Sequence, residues 1–101
     1  MVVIIPISVK KFLDSIEPTL RSKVKRHLDM LGTYSYLLGM PFSKKITRNL
    51  YELRILGSVH IRVFYTFHKD NIVLLHGFIK KTNKIPQKEL LTAKNRIKSL
   101  T

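Results

Sequence analysis

Arg54 and Arg62 stand inside two apolar runs of the stretch NLYELRILGSVHIRVFYTF, residues 49–67. A guanidinium presents a planar fork of N–H donors that fits the oxygens of a phosphate or carboxylate. The basic pair Lys80–Lys81 closes the next apolar run, and His76 lies within that run. The ordinary partner for Arg54 would be Glu52, two residues earlier. Yet 19 Lys and Arg face only six Asp and Glu, so most cations lack a carboxylate in their own chain. The expected ligand is therefore a polyanion. A sheet surface carrying guanidinium and ammonium groups and walled by Phe64 and Phe78 suits RNA, with phosphates on the cations and bases stacked on the planar groups. A metal site is not expected. The chain has no cysteine, and His60, His68 and His76 recur along strands of alternating direction without an HxxxH spacing.

These residues need elements to hold them. Residues 2–7 are predicted to form a strand. Ser8 is expected to cap a short helix with Val9, Phe12, Leu13 and Ile16 on one face. Glu17-Pro18 restarts the chain into a second helix with Leu20, Val24, Leu28 and Leu31 inward, ended by Gly32 or Gly39. Residues 40–47 form a loop or short strand. Strands follow over 50–56, 60–68 and from Ile72 to Lys81, with turns at Gly57-Ser58 and at 69–71. Pro86 opens a last helix striped by Leu90, Ala93, Ile97 and Leu100.

The predicted class is α+β, a single domain over 1–101. A twisted antiparallel sheet carries the N-terminal helical hairpin and the C-terminal helix on one face, leaving the other partly open. Side chains alternate along a strand. Leu50, Glu52, Arg54 and Leu56 thus share a face, as do Arg62, Phe64, Thr66 and His68, and both sets are expected on the open side. The third strand depends on the turn. Three residues at 69–71 put His76, Phe78 and Lys80 beside Arg62, whereas two put Lys81 there.

The net charge of +13 spreads a positive field over a small body, which points to nucleic acid or an acidic protein as partner. The opening MVVIIPIS is too short for a membrane span, and no stretch approaches the roughly 18 apolar residues a span needs. A cytoplasmic protein without a membrane partner is expected.

LYELRI, IRVFY and LLHGFIKKTNKIPQKE, in that order and spacing, resemble the HigB-like branch of the RelE/ParE toxin superfamily, phage-derived toxin-like members included. VKKFLDSI and LGMPFSKKI look like that family's helical hairpin and the loop after it. The departures are small: Ile85 stands before Pro86 where threonine is more usual, and Met40 precedes Pro41 where a smaller residue is common.

The resemblance implies the toxin of a type II toxin–antitoxin pair. Such a toxin would be a ribosome-dependent, metal-independent endoribonuclease (an mRNA interferase) that needs no cofactor. Its partners would be the ribosome, mRNA and a helix-turn-helix antitoxin of the HigA-like kind. By position Arg62 matches the strand arginine of RelE-type sites, Lys80–Lys81 the basic end of the next strand, and Arg54 a basic contributor from the strand before. Cleavage would proceed by attack of the 2′-OH on the adjacent phosphate. His76, Glu52, Lys80 and Lys81 are candidates to move protons, and Arg62 and Arg54 to stabilise the phosphorane. Lys84, Lys44 and Lys45, with Phe64 and Phe78, are candidate RNA contacts. Two rivals stand beside this reading: a ParE-type gyrase inhibitor on the same fold, and a basic nucleic-acid-binding module without catalysis.

Overall fold

The computed structural model describes residues 1–100. In chain order the elements are β1 (Val3–Ile4), α1 (Ile7–Ser15), α2 (Pro18–Tyr34), β2 (Ser43–Thr47), β3 (Leu50–Ile55), β4 (Ile61–His68), β5 (Asn71–Ile79) and α3 (Gln87–Lys98). The expected α+β class holds, with the first strand shortened to β1 and the 40–47 segment realised as a strand, β2, so that the two flank the three-strand meander. The sheet order is β1-β5-β4-β3-β2, with β1 parallel to β5 and every other pair antiparallel.

Helix α1 starts earlier than Ser8. Pro6 precedes its first turn, and the Pro6 carbonyl accepts from the Val9 and Lys10 amides, both at 3.0 Å. Arg21 of α2 locks the hairpin by donating to the carbonyls of Leu13, Asp14 and Ile16 at 3.0–3.1 Å. Those are the orphan carbonyls at the end of α1, where a cation also meets the negative pole of the helix. Neither Gly32 nor Gly39 ends α2. The helix runs through Gly32 to Tyr34, and Ser35 stops it in a left-handed conformation with φ 50°. Gly32 serves a close approach instead: a Cβ there would stand 3.3 Å from the Met1 carbonyl.

The helices do not share one face of the sheet. Val9, Leu13, Ile16, Val24, Leu28 and Leu31 of the hairpin pack on Leu53, Ile55, Ile61, Val63, Tyr65, Ile72 and Leu74. Ala93 of α3 packs on Leu50, Phe64, Leu75 and Phe78, joined by Leu90 and Ile97. By the alternation of strand side chains these two sets lie on opposite faces. The expectation of all helices on one side fails because Phe64, Phe78 and Leu50 form a second apolar patch. Left open, that patch would expose two large rings, and covering it is what the apolar stripe of α3 is for.

The turn between β4 and β5 has two residues, Lys69 and Asp70, both left-handed at φ 49° and 61°. Positive φ at both centres is the hairpin turn whose twist suits the flanking strands. His68 pairs with Asn71, and the ladder proceeds as far as Tyr65 opposite Leu74. There β5 bulges, and Phe64 pairs with His76 rather than Leu75. One extra residue reverses the face of everything after it. Leu75, His76 and Phe78 thereby share the α3 face. Gly77 turns toward the hairpin, where a Cβ would stand 2.4 Å from Phe12 Cδ2.

Candidate active site

Helix α3 covers only part of its face. At the end where β4 begins and β5 finishes, the sheet opens into a cleft of about 540 Å³ lined by His60, Arg62, Lys80, Lys81, Thr82 and Asn83. The strand ladder sets this geometry. Arg62 stands opposite Phe78, and the Lys80 amide donates to the His60 carbonyl at 2.7 Å, so pairing reaches the lip of the cleft. His60, Arg62 and Lys80 fall on one face by alternation. Lys81, Thr82 and Asn83 follow as the chain leaves the sheet and are exposed.

Three cations thus meet at one concave site whose lining holds no carboxylate. The ion pairs among the described residues are Lys10–Asp14, Arg54–Glu52 and His76–Glu89, none of them involving Arg62, Lys80 or Lys81. Arg62 is half-buried. Its Nη1 donates to the Ile61 carbonyl at 3.0 Å, and its Nε is buried without a partner. Burial lowers the pKa of Arg62; Glu52 acts against that shift and Arg54 adds to it. A guanidinium stripped of water and set beside another gains more from an incoming anion than an exposed one does.

Arg54 is the Cα partner of Arg62 but does not line the cleft. Its Nε donates to Glu52 Oε1 at 3.0 Å, while its Nη1 approaches Met40 Sδ at 3.8 Å. The ordinary ion pair is therefore realised for Arg54, which nonetheless keeps 24% of its side chain exposed on the same face as Arg62.

Three expected site residues are excluded by α3. His76 shares Arg62's face but sits under the helix, with Nε2 3.2 Å from Glu89 Oε2 and Nδ1 3.4 Å from Arg96 Nη1. Both ring nitrogens are thus engaged, and the imidazole does not reach the cleft. Phe64 and Phe78 are 0% and 6% exposed, so they offer no face to a base. They pack on each other with ring centres 5.3 Å apart.

Of the remaining candidates, Lys84 is exposed in the loop after the cleft, and the Thr82 hydroxyl donates to its carbonyl at 2.9 Å. Lys44 pairs with Glu52 across β2 and β3, on the arginine face, and is exposed. Lys45 points the other way, with Nζ 5.9 Å from the centre of the Tyr51 ring.

Sequence reasoning passed over His60, Thr82 and Asn83. His60 was visible as the residue two before Arg62, and period-two alternation alone places the pair on one face. Among the described residues no three His, Asp or Glu side chains gather as metal ligands. No helix is long and apolar enough to cross a membrane.

No curated protein matches the chain. A family model, that of the phage derived protein Gp49-like family (DUF891), matches residues 11–98, from within α1 to the end of α3. The match takes in both sheet arginines and every residue lining the cleft. The chain therefore belongs to the phage-derived Gp49-like family, within the RelE/ParE/HigB toxin superfamily.

Proposed function

We propose that the chain is the toxin of a type II toxin–antitoxin pair and cuts mRNA on the ribosome, with the scissile phosphate held in the cleft. The observation that carries this reading is the convergence of Arg62, Lys80 and Lys81 with His60 at one uncovered end of the sheet. The reaction is attack of the 2′-OH on the adjacent phosphorus. A P–O bond forms to the 2′ oxygen, the bond to the 5′ oxygen breaks, and a cyclic phosphate and a 5′-OH result. Arg62 and Lys80 stabilise the extra charge of the phosphorane. His60 is the side chain in the cleft that can both accept and donate a proton, and it replaces His76 in that role. Lys81 and Lys84 steer and hold the flanking phosphates.

A site with so few proton-transfer groups gains from a substrate already set in line. The ribosome supplies that orientation, and orientation alone contributes roughly 7–11 kcal/mol in favourable cases. The partner that silences the chain is an acidic helix-turn-helix antitoxin, drawn by the +13 charge. The working compartment is the cytoplasm.

The deciding experiment adds purified protein to translating ribosomes and maps new mRNA 5′ ends. Discrete ends bearing 5′-OH groups are expected. Intact mRNA together with accumulated gyrase–DNA breaks would transfer the protein to the gyrase-inhibitor class. Intact mRNA with salt-sensitive RNA binding alone would leave a binding module.

A further inference from the structure

Two arginines face each other across β3 and β4, since Arg54 and Arg62 are Cα partners. Like charges directly opposite on a sheet repel. The anion that allows this arrangement is Glu52, on the same face two residues before Arg54. Its side chain is 0% exposed. Oε1 accepts from Arg54 Nε at 3.0 Å, and Oε2 is buried without a partner. The other orphan is Arg62 Nε, and the two are the buried side-chain polar atoms left unpaired among the described residues. Glu52 pairs with Phe64, the same-face neighbour of Arg62 along β4, so Glu52 and Arg62 are diagonal positions within reach of long side chains.

We propose that Glu52 is a positioning residue: one buried carboxylate shared by both sheet arginines, its Oε1 fixing Arg54 by a hydrogen bond and its unpartnered Oε2 holding Arg62 by charge across the diagonal. A buried ion pair is a poor device for stability, because apolar residues of similar volume serve the core as well or better. It is a good device for aiming a guanidinium. With Nη1 fixed on the Ile61 carbonyl and the guanidinium drawn by the charge of Glu52, the outer edge of Arg62 is left for the ligand. Glu52 is fully buried and absent from the lining of the cleft, so it acts through the arginines rather than on the substrate. The electrostatics run the same way, since Glu52 favours the charged form of Arg62 against burial and against Arg54. The aiming role rests on the nuclease reading, whereas the shared tether is a property of the protein alone.

The test separates the two. Arginine Nε–H resonances are recorded by ¹⁵N NMR on the intact chain, which has six arginines, and on Glu52→Gln and Glu52→Ala. A glutamine keeps one acceptor oxygen but puts an amide where Oε2 was. In Glu52→Gln the Arg54 signal should therefore persist while that of Arg62 shifts and exchanges faster with solvent. In Glu52→Ala both should change, and the signals of Arg21, Arg26, Arg48 and Arg96 should stay. An Arg62 signal unmoved in Glu52→Gln overturns the proposal, and that variant decides even if Glu52→Ala does not fold. Ribosomal cleavage by Glu52→Gln should fall up to roughly 10²-fold in kcat with KM little changed, as for a misaimed group. Unchanged kcat with a shifted Arg62 signal refutes the aiming role. Wild type that leaves mRNA intact sinks the nuclease reading, and the NMR result then decides the tether by itself.

Discussion

Gly77 and Phe12 are in contact because β5 bulges at Leu75. Without the extra residue, the ladder that starts at His68–Asn71 would set Gly77 opposite Arg62 and turn Phe78 toward the hairpin. The bulge exchanges them. Phe78 goes under α3, Gly77 accepts the ring of Phe12, and Lys80 arrives on the face of Arg62. One irregularity thus builds both a core contact and the cleft.

Gly77→Ala should destabilise the fold. Its Cβ would fall 2.4 Å from Phe12 Cδ2, and overpacking of this kind costs about 1–3 kcal/mol. Thermal unfolding should move down by roughly 4–8 °C for each kcal/mol in a domain of this size. Phe12→Ala in the same chain should recover part of the loss attributed to the clash, which a double-mutant cycle reads directly. Additive losses would mean that the ring moves aside freely.

Arg62→Ala should lose cleavage on saturated ribosomes by roughly 10²–10³-fold, the worth of one charge-stabilising donor at about 2.7–4 kcal/mol. Stability should hold or rise slightly. Burial and Arg54 together disfavour the charged guanidinium more than Glu52 favours it, since the balance lowers its pKa. Lys88→Ala, on the exposed side of α3, should keep the single-turnover rate and reduce the salt slope of ribosome binding by about one phosphate contact at most. Wild-type single-turnover rates in Arg62→Ala would make Arg62 a docking residue only.

Tyr65→Phe should flatten the alkaline limb of the stability curve. Burial raises the pKa of Tyr65; the hydrogen bond with Ser43 works against that rise and Tyr51 adds to it. A raised folded pKa means that above the unfolded value, about 10, the unfolded chain releases a proton that the folded one retains. Stability is then fully present below about pH 10 and falls as pH climbs toward the folded pKa. Near neutrality the variant should be less stable by about 1–3 kcal/mol, because the buried Ser43 hydroxyl, 2.5 Å from the Tyr65 oxygen, loses its partner. Chemical denaturation at pH 7 through 11 should show the two curves converging. Parallel curves would refute the assignment.

Arg96→Ala should loosen α3. Arg96 Nη1 donates to the carbonyl of Leu75 at 2.5 Å and meets His76 Nδ1 at 3.4 Å, tying the helix to the bulge. Removing it leaves a part-buried carbonyl and an imidazole nitrogen short of a donor, at about 1–3 kcal/mol. Hydrogen exchange should quicken in α3 and around Phe64 and Phe78 before it does in the hairpin. Uniform acceleration across the chain would place α3 in the same cooperative unit as the hairpin.

Much of this was legible in the sequence because local periodicity carries it. The apolar stripes of the helices, the strands at 50–55 and 61–68, and the placing of Arg54 and Arg62 opposite the hairpin follow from repeats of 3.6 and 2 residues. The charge ratio marked unpaired cations, and the ordered motifs pointed to the toxin superfamily. Tertiary structure alone decided the rest. A turn of two residues was one of two readings, yet its consequence was reversed six residues from its start by a bulge that no local pattern announces. That bulge chose Lys80 for the face of Arg62. The second apolar patch chose α3 as its cover, which buried Phe64, Phe78 and His76 and left His60 at the open end. Alternation says which residues share a face. Which face is covered, and how far along, depends on the total apolar area each side must remove from water, a property of the assembled sheet rather than of any stretch of it.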